Sequence, residues 1–522
     1  MTGREGIAAG LAPAREARPI RSGERIHVVG AAGAGASAAA LLAHHAGASV
    51  DGCDAGGPSQ YTPPLVAAGI ELDWRHDPAH VTRTVRPERL AVTKALTAID
   101  PGHPELAAAR AAGIPLEPWQ QVVADAADGR RLIAVAGTHG KSTSAGWLVH
   151  VLVAAGMDPS AFVGALMPPA DSGGPPATAR RGDGPLFVVE ADEYAGNFDP
   201  YRPSIAVVTS AEWDHPDVFP DRAAVIETFD RWLGGARPGP GGEPPTLVAN
   251  IADEGVAELV DRLRAWPGRI VATAILGPGE SEPASRIAAI DARFSTALGS
   301  AAPLVGRIVG AAPASTTVEI VGLVPGERLV SVDLPTAGRH NAANALGVVG
   351  AALAAGVAPD RILTGLASFA GVGRRLERKG ESRGVAVYDD YGHHPTAIRE
   401  TIAAIRQREP GRRVWAVYEP LTYHRTAALL DDFAAALAEA DAVAIADIWA
   451  GRDRDTTVAT AVGLAEAVSR RRPGLTSVAP GSVEATARWL AGAVRSGDAV
   501  LVMGGGKSYR IGELLLEELN AR

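Results

Sequence analysis

The run Leu132-Ile-Ala-Val-Ala-Gly137-Thr138-His139-Gly140-Lys141-Ser142-Thr143-Ser144 combines residue types whose joint chemistry is phosphate binding. Its glycines let a loop curl until backbone N–H groups point inward. A following helix adds partial positive charge, Lys141 supplies a full one, and Ser142 or Thr143 offers a hydroxyl to Mg²⁺. The spacing Gly-x-x-Gly-Lys-Ser is shorter than the general Gly-x-x-x-x-Gly-Lys-[Ser/Thr] pattern. Lysine occurs at only four positions in the chain (Lys94, Lys141, Lys379 and Lys507). One placed in such a loop points to a nucleoside triphosphate.

Two further runs end in acids. Phe187-Val-Val-Glu190-Ala-Asp192-Glu193-Tyr194 closes on three carboxylates, and Ile205-Ala-Val-Val-Thr-Ser210-Ala-Glu212-Trp-Asp214-His215 closes on acids and a histidine. Carboxylates at the C-terminal ends of parallel strands, facing a phosphate loop, suit Mg²⁺, which takes hard oxygen ligands. Two such ends point to two cations, or to a cation and a phosphate. A weaker signal is Gly30-x-x-Gly33-x-Gly35 after Arg25-Ile-His-Val-Val, with Asp54 closing the next strand. This pattern suits a pyrophosphate at a helix N-terminus and a carboxylate accepting from a ribose or base. Polar groups also open a helix at Gly338-Arg-His340-Asn341-Ala-Ala-Asn344. Arg374 and Arg375 offer a phosphate clamp, and Asp389-Asp390-Tyr-Gly-His393-His394-Pro395 is dense in polar and aromatic groups ahead of another helix.

The elements that must position these groups alternate. Short Val/Ile/Leu runs exchange with Ala-rich helical stretches, the pattern of parallel sheets covered by helices on both faces. Three segments open with a strand and a glycine turn, near Arg25, Leu132 and Gly384. A chain of 522 residues corresponds to roughly three domains at about 150 residues each. The expected division is a disordered lead-in over 1–24, a first domain over 25–128, a central domain with the phosphate loop over 129–372 and a C-terminal domain over 373–522. Gly- and Pro-rich loops are expected within 164–185, 234–245 and 277–303, and a small antiparallel piece around Val318–Val321 and Arg328–Leu334.

Composition narrows the function. Fifty basic against 59 acidic residues, net −9, provide no basic field for a nucleic-acid backbone, so no nucleic-acid partner is expected. The single cysteine, Cys53, excludes an internal disulfide or a metal site built on several thiolates, and suits a reducing cytoplasm. No stretch approaches 18 uninterrupted apolar residues, so no membrane span is expected.

The order of these motifs, from about Arg25 to Glu518, resembles the Mur ligases, the ATP-dependent amino-acid ligases of peptidoglycan synthesis. The resemblance rests on Gly137-Thr-His-Gly-Lys-Ser-Thr143, Glu190-Ala-Asp-Glu193, Glu212-Trp-Asp-His215, Gly338-Arg-His-Asn-Ala-Ala-Asn344, Gly373-Arg-Arg375 and Asp389-Asp-Tyr-Gly-His-His-Pro395. Within the family these motifs are most similar to those of the members that add L-alanine to UDP-N-acetylmuramate. The members that recycle murein tripeptide share much of the set. The resemblance implies an α/β fold of three domains, with a Rossmann-like N-terminal domain, a central mixed sheet of P-loop ATPase type and a Rossmann-like C-terminal domain closing on ATP and amino acid. It implies ATP and Mg²⁺ as cofactors and an acyl-phosphate intermediate. By the same carry-over, Ser142, Glu190 and His215 hold the metal; His340, Asn341 and Asn344 meet adenine and Asp390 the ribose. Lys141, His215, Arg375 and His394 are catalytic, with Arg375 on a phosphate and His394 beside the acyl phosphate and amine. Gly30, Gly33, Gly35 and Asp54 hold the UDP group.

The chain departs from the alanine-adding pattern at several points. Ala32 and Ala38 stand in a usually glycine-richer first turn, Ser210 where an asparagine is expected, and Lys94 where a small polar residue is common. Tyr418-Glu-Pro-Leu421-Thr422-Tyr-His-Arg425-Thr lacks a His-Arg pair at Leu421 and Thr422. Because that segment is expected to face substrate, ligation of another amino acid or a peptide stays open, as does a nucleotide-binding regulator without turnover. Monomer and dimer both stay open.

Overall fold

In the computed structural model, β-branched runs that no helical period interrupts become strands, and the Ala/Leu-rich stretches between them return as helices. The structure describes residues 4–169, 173–280, 282–298, 302–323, 329–451, 453 and 455–522. The described strands form three sheets.

The N-terminal sheet contains β1 (Arg25–Val29), β2 (Ser49–Cys53), β3 (Glu71–Asp73), β4 (Arg89–Val92) and β5 (Leu116–Pro118). They pair in parallel in the order β3-β2-β1-β4-β5. This doubly wound arrangement brings ligands to the strand C-terminal ends, where the order reverses. Helix α1 (Ala34–His45) follows the glycine turn and packs its small side chains on one face.

The central sheet contains β6 (Arg131–Ala136), β7 (Ser160–Met167), β8 (Ala177–Arg180), β9 (Leu186–Ala191), β10 (Ile205–Val208), β11 (Thr246–Asn250), β12 (Arg269–Leu276), β13 (Leu304–Ala312), β14 (Ser315–Val321) and β15 (Val330–Leu334). Their order is β15-β14-β13-β12-β11-β10-β6-β9-β7-β8. The middle is parallel. The expected antiparallel piece is β13-β14-β15, which extends the main sheet, and β8 adds a second antiparallel edge. Helices α2 (Lys141–Ala154) and α3 (Arg339–Ala354) cover one face, burying Trp147, Leu148, Leu346 and Val349.

The C-terminal sheet contains β16 (Glu377–Ser382), β17 (Val385–Asp390), β18 (Arg413–Glu419), β19 (Ala442–Ala446), β20 (Thr476–Gly481) and β21 (Asp498–Gly504). It is ordered β16-β17-β21-β18-β19-β20, parallel except for β16 at its edge. Helix α4 (Pro395–Arg408) follows β17 and starts at His394, whose side chain accepts from the Thr396 N–H.

The lead-in expected to be disordered is packed against the fold. Residues 1–3 lie outside the described residues, but residues 4–24 pack on the N-terminal domain. Ile7 is buried beside Tyr194 and Ala195. The Arg15 guanidinium donates to Glu117 (2.8 Å) and Asp125 (2.7 Å), and Arg18 to Glu24 (2.6 Å). Glu24, Glu117 and Asp125 also surround the buried Arg89. The expectation rested on an Ala/Gly/Arg-rich stretch without an apolar core. Arginines reaching buried carboxylates anchor it instead. Among the described residues no helix is long and apolar enough to cross a membrane.

Candidate active site at the junction of the central and C-terminal domains

Register explains why the acids meet the loop from Gly137 to Ser144. Ala136 pairs with Ala191 on one side and Val208 on the other, so Gly137, Asp192 and Thr209 leave the sheet at one level. The loop is tight. Gly137 (φ +133°) and Gly140 (φ +76°) take backbone conformations that L side chains rarely adopt. A Cβ at Gly140 would overlap the Asn344 amide, so α3 approaches the loop through the space a side chain would occupy. Ser210, where an asparagine was expected, braces the loop: its Oγ accepts from the His139 N–H (2.8 Å) and its carbonyl from the Thr138 N–H (3.1 Å).

Lys141 Nζ donates to the Gly137 carbonyl (2.6 Å) and lies 3.1 Å from Glu193 and 3.4 Å from Asp192. Burial would pull its pKa down, but Glu193, Asp192 and Glu190 outweigh burial and hold it above the ordinary lysine value. Burial pushes the Glu193 carboxyl up to about 7, with Lys141 opposing and Asp192 adding to the rise. The lysine is thus a permanent cation among acids, one of which titrates near neutrality.

The three expected metal ligands are not gathered equally. Ser142 Oγ donates to Glu190 Oε1 (2.9 Å), and Glu190 Oε2 accepts from the Gly164 N–H (2.6 Å). His215 instead groups with Asp192 and Glu193, each pair of ligand atoms within 4.8 Å. It takes a left-handed backbone (φ 56°), a strain that persists where surrounding contacts dictate it. Asp192 and Glu193 therefore join the site, although the sequence reading credited only Glu190 of that strand end with a role.

The C-terminal domain supplies the opposite wall. Arg375 Nη2 donates to Ser142 Oγ (2.6 Å). His394 Nε2 lies 3.2 Å from the Trp213 carbonyl, its ring centroid is 4.4 Å from that of His139, and Thr396 Oγ1 donates to Glu212 (2.7 Å). Burial, reinforced by His139, lowers the His394 pKa to about 4, so the imidazole is neutral near pH 7. Burial raises the Glu212 pKa, but His139 and Thr396 bring it to about 2. Arg425 donates to Asp214 (2.7 Å) and contacts His215 Nδ1 (3.0 Å). It holds the Asp214 carboxyl well below the usual range against the effect of burial. Sequence reasoning noted the Arg425 segment only for what it lacked. The signal was an arginine in a segment already expected to face substrate.

Other expected residues are placed differently. Asp390, assigned to a ribose, has its oxygens taken by the N–H groups of Leu376 and Gly392 (2.7 Å each), which ties the interdomain linker to β17. Arg374 is buried against Asp389 (2.9 Å) and the Gly504 carbonyl (2.8 Å), a structural partner to the freer Arg375. Asn341 donates back to Ala337 (2.8 Å), whereas His340 lies 3.5 Å from Glu400. Of the helix-opening trio, Asn344 stands against the loop. In the N-terminal domain, Gly30 (φ +86°) turns beside Thr93 and Gly33 caps α1. Gly35 admits the Trp119 ring, and Asp54 accepts from the N–H groups of Ala32 (3.0 Å) and Gly56 (2.8 Å). These four shape one turn. Lys94 reaches across to the central domain, donating to the Ala195 carbonyl (2.9 Å).

Comparison with known proteins accounts for the three sheets in turn. The catalytic domain of the Mur ligase family matches residues 25–131, the Mur ligase middle domain residues 135–352, and the Mur ligase glutamate ligase domain residues 374–506. A UDP-N-acetylmuramate–L-alanine ligase of Frankia casuarinae is 36% identical, covering 95% of this chain and 98% of the relative. The chain belongs to the Mur ligase family. A namesake from Gloeobacter violaceus is 33% identical, covering 96% of this chain and 97% of its own. Among solved structures, the UDP-N-acetylmuramate–alanine ligase of Thermotoga maritima shares the fold with TM-score 0.72 at 21% identity, covering 95% and 99% of the two chains. A murein peptide ligase from Psychrobacter arcticus superposes with TM-score 0.67 at 24% identity over 96% and 99%.

Proposed function

We propose that this Mur ligase joins L-alanine to the lactyl carboxylate of UDP-N-acetylmuramate at the expense of ATP, in cytoplasmic synthesis of peptidoglycan precursors. The observation that carries the reading is the convergence of Arg375 and His394 from one domain on the phosphate loop of another. It occurs in a chain related over nearly its whole length to alanine-adding ligases. The carboxylate attacks the γ-phosphorus, the bond to the bridging oxygen breaks, and ADP leaves an acyl phosphate. The amine then attacks the acyl carbon and inorganic phosphate departs.

The residues have matching tasks. Lys141 and Arg375 offset charge on the transferred phosphoryl group. The donor set suits Mg²⁺: Ser142 and Glu190 present adjoining hard oxygens, with His215 beside Asp192 and Glu193. When bound, the ion would supply charge neutralisation for the phosphates. His394, neutral by burial, orients the incoming amine. Asn344 flanks the nucleotide, and the turn from Gly30 to Gly35 with Asp54 receives the UDP group.

The amine is the least constrained part. Thr422 has a left-handed backbone (φ 64°), its N–H bonds the Trp449 carbonyl (3.0 Å), and Leu421 packs against Gly505. An apolar side chain thus occupies the place of the family's polar pair, which supports a peptide or another small amino acid as the second reading. Phosphate release with UDP-N-acetylmuramate and a panel of amines tests both. Stimulation by L-alanine is expected, stimulation only by a peptide favours the second reading, and no release with any amine overturns ligation.

A further inference from the structure

Away from the ATP site, on the face of the N-terminal sheet opposite α1, four ligand-type side chains converge. They are His27 of β1, Cys53 of β2, His80, and Glu105 in the helix Pro104–Ala111. Cys53 and Glu105 are fully buried and His27 is 1% exposed. His27 Nε2 lies 3.3 Å from Cys53 Sγ and 3.0 Å from Glu105 Oε1. His80 Nδ1 is 2.9 Å from the same oxygen, and Cys53 Sγ is 3.4 and 3.6 Å from the two Glu105 oxygens. A tetrahedral site with bonds of about 2.0 Å to nitrogen or oxygen and about 2.3 Å to sulfur needs about 3.3 Å between N/O donors and about 3.5 Å from sulfur to either. The spacings match.

The outer contacts orient these groups inward. His27 Nδ1 is 3.0 Å from Asp51, and His80 Nε2 is 3.2 Å from Asp73. A carboxylate behind an imidazole takes its N–H and turns the opposite lone pair toward a metal. With both tautomers so set, two nitrogen lone pairs, a carboxylate and a sulfur face one point. Without a metal the Cys53 thiol donates to Glu105; a cation displacing that proton would meet all four groups at once. His76, with Nδ1 3.2 Å from Cys53 Sγ, and His80 are partly exposed and form an entry from solvent.

We propose that His27, Cys53, His80 and Glu105 form a tetrahedral binding site for Zn²⁺ or a similar borderline divalent cation, held by Asp51 and Asp73. The site is structural. It ties β1 and β2 to the helix Pro104–Ala111 and leaves no open position for a substrate. A metal site built on several thiolates is excluded by the single cysteine, but one on a lone thiolate with two imidazoles and a carboxylate is not.

The test is Co²⁺ titration of the chelator-treated full chain, followed by absorption. A one-to-one end point is expected, with visible bands of four-coordinate cobalt and a near-ultraviolet thiolate charge-transfer band, all abolished by excess Zn²⁺. Cys53→Ser removes the charge-transfer band, and His215→Ala, at the separate ATP site, leaves it intact. Asp73→Asn, at a half-exposed position, weakens cobalt binding by about 10- to 100-fold and carries the test if Cys53→Ser does not fold. Absence of the bands in folded protein, their survival in Cys53→Ser, or unchanged affinity in Asp73→Asn overturns the proposal.

Discussion

His394 shows how burial changes what one side chain can do. It is 6% exposed, and its pKa of about 4 lies below the value of about 6.5 for an unfolded histidine. A histidine lowered in the fold binds its proton preferentially when unfolded, so stability rises with pH and is lost as pH falls from about 6.5 toward 4. Between pH 7 and pH 5 this group alone removes about 2 kcal/mol. Urea midpoints at the two pH values should therefore separate less in His394→Asn than in the parent chain; equal separations would mean that the imidazole is not neutral in the fold. Lys141 gives a second residue-scale expectation. Lys141→Ala should lower turnover by at least about 10³-fold, while calorimetry finds UDP-N-acetylmuramate binding nearly unchanged, since the N-terminal turn is a separate unit. Parallel loss of both would contradict that separation.

At the scale of elements, the site depends on α2 seating closely against its neighbours. Gly365, in the helix Pro359–Ala367, faces the backbone of α2, where an added Cβ would lie 2.8 Å from Val151 Cα. Alanine gains up to about 1 kcal/mol of helix propensity over glycine, but overpacking against backbone costs about 1–3 kcal/mol. Gly365→Ala should therefore be destabilising by about 1 kcal/mol in denaturant unfolding; a stabilised protein would show that the two helices part without cost. The strand ends themselves were legible. Glu190 stands at the end of β9 and His215 in the loop that follows β10, and parallel pairing brings such ends to one edge. Which acids meet Lys141 and which meets Ser142 was not legible, because Glu190, Asp192 and Glu193 lie within three positions of one another.

For the whole molecule, the C-terminal domain is held to the central one by Arg425 on Asp214, Thr396 on Glu212, His394 on the Trp213 carbonyl and Arg375 on Ser142. Three of these four contacts meet the segment Glu212–Asp214. Arg425 and Asp214 are 2% and 3% exposed, so removing one partner strands a buried charge at a cost of about 3–5 kcal/mol. An Arg425→Ala/Thr396→Ala double variant should loosen the apposition and raise the radius of gyration in solution scattering; an unchanged profile would mean that other contacts hold the domains.

The α/β class, the three-part division and the tight glycine loop at Gly137–Gly140 were readable because each rests on periodicity or spacing within a few residues, where backbone sterics and strand or helix repeat decide the outcome. The ordered N-terminal segment was not, since Arg15 meets carboxylates more than one hundred residues away. The same holds for Arg425 on His215, 210 positions apart, and for the convergence of His27, Cys53, His80 and Glu105. Those pairings depend on how sheets and domains close on one another, and a buried charge finds its partner only when that packing removes water from both.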